Sequence, residues 1–215
     1  MEAFKSHRGI AGILARANVD TDQIIPKQFL KSIERTGFGE ALFFDWRYND
    51  DGSDNPDFNL NAPRFKGASI LVTHNNFGCG SSREHAVWAV LQYGFRVVIA
   101  PRRKSDGEEV NAFADIFRNN GFNNGLLTIE LSEDEVLEII ESISRNEGLE
   151  ITVNLEAGNI VLHTEDEKRY DFKIDETFRQ NLLEGKDPID QTLEFDSEIT
   201  AFENEKEREI FSPGS

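Results

Sequence analysis

The chain has 215 residues, 38% of them hydrophobic and 29% charged, so it can bury one core and is not an intrinsically disordered protein. Forty acidic against 23 basic residues give a net charge of −17, which disfavours binding to nucleic acid or to an anionic membrane surface. The single cysteine, Cys79, excludes an internal disulfide and favours a reducing cytoplasmic location. It cannot by itself hold a four-cysteine zinc site or an iron–sulfur cluster, and His7, His74 and His163 show no ligand spacing, so we assign no metal ligand in this chain.

The first part of the chain predicts one strand followed by turns and loops. Residues 9–17 are short and apolar and predict a strand that ends in an Asp- and Thr-rich turn. Pro26 restricts the residue before it to an extended conformation. A short helix or a loop is expected over residues 28–33, and residues 49–63 predict a long loop.

The clearest unit is a strand, a glycine-rich turn, a helix and a second strand. Residues 68–73 predict a buried strand, and the polar turn 74–80 contains two glycines. A helix is predicted over residues 81–92, and residues 95–100 predict the next buried strand. This order is typical of a βαβ unit, so we expect an α/β fold with at least one parallel strand pair.

The rest of the chain predicts further helices and strands in one domain that ends near residue 202. The predicted elements are a charged surface loop (102–111), a helix (112–120), a strand (126–131), a helix capped by Ser132 and Glu135, a hairpin (151–163), a strand (170–174) and a final helix (175–183). Residues 203–215 are mostly charged and without periodicity, which predicts an acidic, disordered tail.

The turn at residues 77–85 carries the strongest chemical signal. Its glycines allow a ligand to approach the backbone, and Ser81, Ser82 and Arg83 stand where the helix would expose unpaired N–H groups. Such a group of donors can bind a carboxylate or a phosphate. A purely structural interpretation stays open, because Ser81 and Glu84 have the spacing of a capping box and Arg83 can pair with a nearby carboxylate.

Other candidate residues give weaker signals. Asp20 and Asp22 flank Thr21 at the end of the first strand, where they could ligate a metal, position a substrate or merely hold a turn. His85 follows Ser81 by about one helical turn, so we expect it to point elsewhere. The serine-hydrolase elbow and the phosphate-binding loop ending in Gly-Lys-Ser or Gly-Lys-Thr are both absent. Cys79 is either a thiol nucleophile or a small packed residue.

Two motifs together resemble one enzyme family. The sequence Asp-Thr-Asp-Gln-Ile-Ile-Pro at residues 20–26 and the sequence Asn-Phe-Gly-Cys-Gly-Ser-Ser-Arg-Glu-His-Ala at 76–86 are similar to the small subunits of 3-isopropylmalate dehydratase, in the aconitase superfamily. Further similarity lies at residues 113–117, at 119–127 and in the helix 178–185, so the resemblance covers residues 9–193.

The resemblance implies a fold, a reaction and a partner. The fold would be the aconitase-like swivelling β/β/α domain, with three layers and a mixed sheet. The reaction would be loss and re-addition of water that interconverts 2- and 3-isopropylmalate in leucine biosynthesis. The partner would be a large subunit that forms a heterodimer with this chain and carries a [4Fe–4S] cluster, while this chain binds no cofactor.

The resemblance also implies residue roles. Ser81 would be the catalytic base, and Ser82 and Arg83 would bind a substrate carboxylate. Asp20, Thr21, Asp22 and Gly80 would have positioning roles. Phe29, Leu30 and Ile33, in the loop after Pro26, would suit the isopropyl group of the substrate better than a third carboxylate.

Three alternatives and two departures accompany this interpretation. The chain could serve a related hydro-lyase of the citraconate/dimethylmalate or homoaconitate type, or it could be a non-catalytic anion-binding module. The charged segment 102–111 is an insertion relative to the family pattern, and Gly121 stands where the family more commonly has Cys or Ser.

Overall fold

The computed structural model describes residues 1–31, 36–81, 83–105 and 108–211. It confirms the α/β class, because helices pack on one mixed eight-stranded sheet. The strands are β1 (Ser6–Leu14), β2 (Ile70–Thr73), β3 (Val97–Ser105), β4 (Glu108–Val110), β5 (Leu127–Ser132), β6 (Glu150–Asn154), β7 (Asn159–Leu162) and β8 (Lys168–Asp171). The α-helices are α1 (Thr21–Ile24), α2 (Phe44–Arg47), α3 (Glu84–Tyr93), α4 (Asp115–Asn124), α5 (Glu133–Arg145), α6 (Glu176–Glu184), α7 (Pro188–Leu193) and α8 (Asp196–Phe211).

One half of the sheet is parallel and contains the predicted βαβ unit. Strand β2 pairs in parallel with both β1 and β3, and β5 pairs in parallel with β3. Helix α3 connects β2 to β3, as the sequence predicted. All four residues of β2 are buried, which explains its continuous apolar sequence. The carboxyl ends of these strands therefore meet at one edge of the sheet.

The other half is antiparallel and follows local sequence signals closely. Strands β6, β7 and β8 continue from β1 as an antiparallel meander, which confirms the predicted hairpin. Helix α5 begins with the predicted capping box, in which Ser132 and Glu135 each accept a hydrogen bond from the other's backbone N–H. Alternate residues of β6 are buried, as expected of a strand with one solvent-facing side.

The charged segment after β3 differs from the prediction. Residues 102–111 were expected to form a surface loop, but β3 continues to Ser105 and pairs antiparallel with β4. The register aligns Arg103 with Val110 and Lys104 with Glu109. Backbone pairing stabilises these strands without a hydrophobic sequence pattern, so the composition predicted a loop wrongly.

The C-terminal part of the chain also differs from its prediction. Helix α6 ends at Gly185, a left-handed cap as expected, but two more helices follow. Helix α8 includes residues 203–211, where the sequence predicted disorder. Among the described residues, no helix has both the length and the apolar character that crossing a membrane requires.

Candidate active site

The glycine-rich loop after β2 lies between two neighbouring segments at the carboxyl edge of the parallel strands. On one side, Asp20 and Cys79 form a parallel bridge, and the N–H of Thr21 donates to the carbonyl of Cys79 over 2.9 Å. On the other side, Phe77 bridges to Phe113, and its N–H donates to the carbonyl of Ala112 over 3.0 Å. Backbone hydrogen bonds on both flanks therefore fix the loop before any ligand arrives.

Two glycines make this close approach feasible. Gly78 has a φ of +77°, and a Cβ there would lie 2.3 Å from Cγ of Phe117. Gly80 has a φ of +86°, and a Cβ there would lie 3.3 Å from Cβ of Asp20. A side chain at Gly78 would meet both a strained backbone and a steric clash, so that position requires glycine.

The Asp-Thr-Asp motif forms the short helix α1 and fixes it to the loop. Asp20 is its N-cap, and its carboxylate accepts from the N–H of Gln23 over 2.8 Å. The buried Thr21 donates its hydroxyl to the carbonyl of Ser81 over 2.8 Å. Asp20 and Thr21 therefore hold the backbone around Ser81, and their role in positioning a substrate stays a prediction.

Asp22 has a different role from Asp20, because its carboxylate pairs with charged side chains. It accepts a hydrogen bond from Nη1 of Arg83, and it also lies 3.3 Å from Nζ of Lys27. Both contacts hold the pKa of Asp22 below its usual value, the hydrogen bond from Arg83 contributing most. The Arg83 side chain is only 16% exposed. Asp22 therefore orients the guanidinium, whose other N–H groups make no hydrogen bond with the residues that the structure describes and can donate to an anion.

Ser81 lies before helix α3 and not at its start. The helix begins at Glu84 with Arg83 as N-cap, so the predicted helix start at Ser81 and the Ser81–Glu84 capping box are wrong. This segment stays out of the helix for two reasons. Phe77 and Cys79 form bridges to Phe113 and Asp20, and Gly80 has a left-handed backbone conformation. Ser81 is exposed, and its hydroxyl has no hydrogen-bond partner among the residues described.

The loop and the first turn of α4 enclose an open cavity of about 260 Å³. Its lining residues are Thr21, Gly78, Gly80, Ser81, Arg83 and residues 114–117. Ala114 is the N-cap of α4 and provides no capping side chain, so the first N–H groups of this helix are available near the cavity. Asp115, which also lines the cavity, pairs with Arg118 over 3.2 Å.

The contribution of α4 was missed by the sequence reasoning. The segment 113–117 was noted for its family resemblance and received no role in the site. Its available signal was the Phe-Ala-Asp sequence placed just before a helix. Pairing of Phe77 with Phe113 is what brings this helix start beside Ser81, and pairing between distant segments is not visible in local sequence.

Some predicted residues do not line this cavity. Phe29 lies in a 3₁₀ helix (Lys27–Lys31) and packs against Phe44, with ring centroids 4.9 Å apart. Leu30, in the same helix, is partly buried against the core. Neither lines the cavity, although the ion pair of Lys27 with Asp22 holds their helix beside the site. Ser82 and Ile33 lie outside the described residues.

The two remaining candidates have surroundings unsuited to nucleophilic catalysis. The His85 ring packs against Phe38 and Trp88, with centroid distances of 5.3 and 4.7 Å. It is held among aromatic rings, as expected of a side chain that points away from Ser81. Burial, and next the charge of Asp20, raise the pKa of the Cys79 thiol. A raised pKa favours the protonated thiol and disfavours a nucleophilic or metal-binding thiolate.

The donor atoms of this chain do not fit an iron–sulfur cluster. Over the part of the chain that the structure describes, no three His, Cys, Asp or Glu residues are grouped so that they could hold a metal ion. Cys79 is the only cysteine in the whole sequence, whereas such clusters are held by several thiolates.

Comparisons with known proteins show the family of this chain. Residues 1–134 match the family model of the aconitase C-terminal domain. The chain is 53% identical over 204 residues to the 3-isopropylmalate dehydratase small subunit of Rhodopirellula baltica, covering 94% of this chain and 98% of that protein. The chain belongs to the 3-isopropylmalate dehydratase small-subunit family. The small subunit of Desulforapulum autotrophicum is 51% identical over 203 residues, covering 94% of this chain and 95% of that one.

A solved structure extends the agreement to the fold of the small-subunit family. The crystal structure of 3-isopropylmalate dehydratase from Methanocaldococcus jannaschii superposes with a TM-score of 0.60 at 26% identity. The match covers 92% of this chain and 99% of that one. The swivelling-domain architecture implied by the sequence motifs is thus confirmed.

Proposed function

We propose that this chain is the small subunit of a two-chain hydro-lyase that interconverts 2- and 3-isopropylmalate. Relatives named 3-isopropylmalate dehydratase small subunit support this proposal. The observation that carries the proposal is the exposed Ser81 hydroxyl, which shares one open cavity with Arg83 and the start of α4. The cavity is open on one side, so a second subunit can complete it around a substrate.

Arg83 binds a carboxylate of the substrate. Its guanidinium is largely buried and already oriented by Asp22, so little side-chain entropy is lost when an anion binds. The first N–H groups of α4 add donors on the other side of the cavity. Ser82, next to Arg83 in the sequence, is proposed to contribute its hydroxyl to the same carboxylate.

Ser81 removes the proton from the carbon next to a substrate carboxylate. The proton moves to Oγ of Ser81, the electron pair of the carbon–hydrogen bond forms the double bond, and the neighbouring hydroxyl leaves as hydroxide. A serine acts as a base only as its alkoxide, which needs positive surroundings. Arg83 and the start of α4 provide them, and Thr21 fixes the Ser81 backbone.

The departing hydroxide needs a Lewis acid, and the described residues of this chain contain no group of side chains that could hold a metal ion. The proposal assigns the Lewis acid to a [4Fe–4S] cluster in the large subunit, which together with this chain forms the heterodimer. The relatives from Rhodopirellula baltica and Desulforapulum autotrophicum are named small subunits, which supports the existence of a larger partner.

Phe29 and Leu30 are proposed to contact the isopropyl group once the two subunits close around the substrate. They lie on the 3₁₀ helix held beside the site through Lys27. Two apolar side chains suit an isopropyl group better than a third carboxylate, which favours isopropylmalate over a tricarboxylic substrate of the homoaconitate type.

Reconstitution tests the proposal directly. This chain, a cluster-loaded large subunit and their mixture are each supplied with 2-isopropylmalate, and formation of 3-isopropylmalate is followed. Turnover is expected in the mixture alone. Turnover by this chain alone would overturn the two-subunit assignment, and a mixture that acts on citraconate or homoaconitate but not on isopropylmalate would overturn the substrate.

A further inference from the structure

The two sides of the cavity at Ser81 come from different helices. Arg83 is the N-cap of α3, whereas residues 114–117 contain the start of α4. A substrate carboxylate that reaches both sides needs the guanidinium of Arg83 and the first N–H groups of α4 at a fixed separation. The contacts between α3 and α4 therefore affect the geometry of the site.

Asn124, the last residue of α4, makes three hydrogen bonds through its side-chain amide. Its Nδ2 donates to Oε1 of Glu84 and to the carbonyl of Asn120, each over 2.9 Å. Its Oδ1 accepts from Nε1 of Trp88 over 3.0 Å. An indole N–H can only donate and an ionised carboxylate can only accept, so both neighbours on α3 require the same orientation of the amide. Neither leucine nor aspartate at this position could make all three hydrogen bonds.

The two hydrogen bonds from Asn124 to α3 fix the rotation of that helix. Glu84 and Trp88 lie on one face of α3, one helical turn apart. Glu84 directly follows Arg83, and its carboxylate bonds to Asn124 instead of forming the capping box that its spacing from Ser81 suggested. Two contacts one turn apart hold α3 in one rotation about its axis. This rotation sets the direction in which the Arg83 side chain enters the cavity.

Arg83 is thus held at both ends. Asn124 holds the backbone end through Glu84, and Asp22 holds the guanidinium end by accepting from Nη1. The ion pair with Asp22 depends on the direction in which the Arg83 side chain leaves the start of α3. Loss of the Asn124 amide would therefore free the backbone end of Arg83 and weaken its contact with Asp22.

We propose that Asn124 is a positioning residue for substrate binding, which acts through Glu84 and Trp88 on the direction of the Arg83 side chain. Asn124 does not line the cavity, so its role is indirect. The inference rests on the proposed function, because the direction of Arg83 matters for turnover only if its guanidinium binds a substrate carboxylate. A residue that merely stabilised the end of α4 would leave substrate binding unchanged.

Two matched substitutions in the reconstituted complex test the inference. Asn146, the C-cap of α5, donates its Nδ2 to the carbonyl of Ser142 over 2.8 Å. Asn146→Leu therefore loses the same kind of helix-end hydrogen bond as Asn124→Leu but leaves α3 untouched. We expect KM for 2-isopropylmalate to rise about tenfold in Asn124→Leu, with kcat changed less than about threefold, and neither constant to change in Asn146→Leu. A normal KM in Asn124→Leu, or an equal rise in Asn146→Leu, would overturn the proposal.

A double substitution shows whether Asn124 acts through Arg83. In the Arg83→Lys background the directed guanidinium is already lost, so Asn124→Leu should lower kcat/KM less than about twofold further. A further loss of about tenfold in that background would mean that the two residues act independently, which would contradict the proposal.

A second measurement needs no turnover and uses the full chain alone. Carbon NMR follows the titration of the Asp22 carboxyl group, whose pKa the hydrogen bond from Arg83 holds below its usual value. Asn124→Leu should raise the pKa of Asp22 towards that usual value, whereas Asn146→Leu should leave it as in the parent chain. An unchanged pKa in Asn124→Leu would overturn the proposal. If the parent complex fails to convert isopropylmalate while Asn124→Leu still shifts this pKa, the proposed function is wrong and the link between Asn124 and Arg83 stands.

Discussion

The parallel and antiparallel halves of the sheet hold their charged residues in different ways. In the parallel half, Arg83 pairs with Asp22 while its side chain is 16% exposed, and both belong to segments fixed by backbone bridges. In the antiparallel half, Arg169 and Asp171 lie 3.5 Å apart on β8 with exposures of 61% and 81%. The pairs have the same chemistry in very different surroundings.

This difference in exposure indicates which of the two ion pairs can take part in binding a ligand. An exposed ion pair such as Arg169–Asp171 contributes little to the free energy of folding, because water screens the attraction between the two charges and solvates each of them when they are apart. A pair that is partly buried beside an open cavity keeps a guanidinium in one orientation and leaves donors for a ligand. Substitutions in the two halves should therefore have unequal effects on activity, and the following predictions test this.

The largest effect is expected for Ser81→Ala in the reconstituted complex. Removal of a general base lowers kcat by about 10²- to 10⁴-fold, and because the Ser81 side chain makes no hydrogen bond within the described residues, assembly should be intact. Steady-state kinetics and size-exclusion chromatography check both expectations. Ser144→Ala, an exposed serine on α5, is the control and should retain full activity. A Ser81→Ala enzyme with near-normal kcat would remove Ser81 from the role of base.

Arg83→Lys should have the next largest effect. It keeps the positive charge but loses the planar set of donors that serves Asp22 and the substrate together, so we expect kcat/KM to fall about 10- to 100-fold. Arg169→Lys in the antiparallel half should leave kcat/KM unchanged. Equal values for the two variants would mean that the partly buried pair has no special role.

Gly78→Ala should affect stability. A Cβ at Gly78 would lie 2.3 Å from Phe117 and would force a left-handed backbone on alanine, so we expect a loss of about 2–4 kcal/mol in the free energy of unfolding. Gly52→Ala has a similar φ of +81° but open space around it, so it should lose only about 1 kcal/mol. Urea denaturation measures both, and similar losses would show that the contact with Phe117 is unimportant.

The smallest effect concerns pH. Arg83 and Lys27 hold the pKa of Asp22 below its usual value in the folded chain, so the unfolded chain takes up the proton first as the pH falls. The stability contributed by this carboxylate is therefore present above about pH 4 and disappears as the pH falls through the lower folded pKa. The stability difference between the parent chain and Asp22→Asn should shrink below about pH 4. A stability difference between the parent chain and Asp22→Asn that stays constant down to pH 2 would contradict the ion-pair explanation. Asp171→Asn, which changes an exposed carboxylate, is the control.

Local sequence signals predicted those elements that local interactions determine. The βαβ order, the capping box at Ser132 and the hairpin of β6 and β7 all follow from patterns within a few residues, and all were confirmed. For the site, the motifs selected Thr21, Ser81 and Arg83, and the structure places these residues around one cavity.

Pairing between distant segments accounts for what the sequence did not predict. The spacing of Ser81 and Glu84 meets the capping-box pattern, yet bridges of Phe77 and Cys79 to other segments hold the loop extended, and the helix starts later. The antiparallel pairing of β3 and β4 was missed because the sequence of both strands is charged and has no apolar alternation. The role of α4 depends on the bridge between Phe77 and Phe113, which no local pattern encodes.

Hydrogen exchange into the substrate tests the central claim most directly. The reconstituted complex is incubated with 3-isopropylmalate in heavy water. Mass spectrometry then measures deuterium at the carbon from which the proton is removed in the dehydration. If Ser81 takes the proton, the parent complex incorporates deuterium, while a Ser81→Ala complex that still binds substrate incorporates none. Incorporation at the parent rate by the Ser81→Ala complex would show that another group removes the proton.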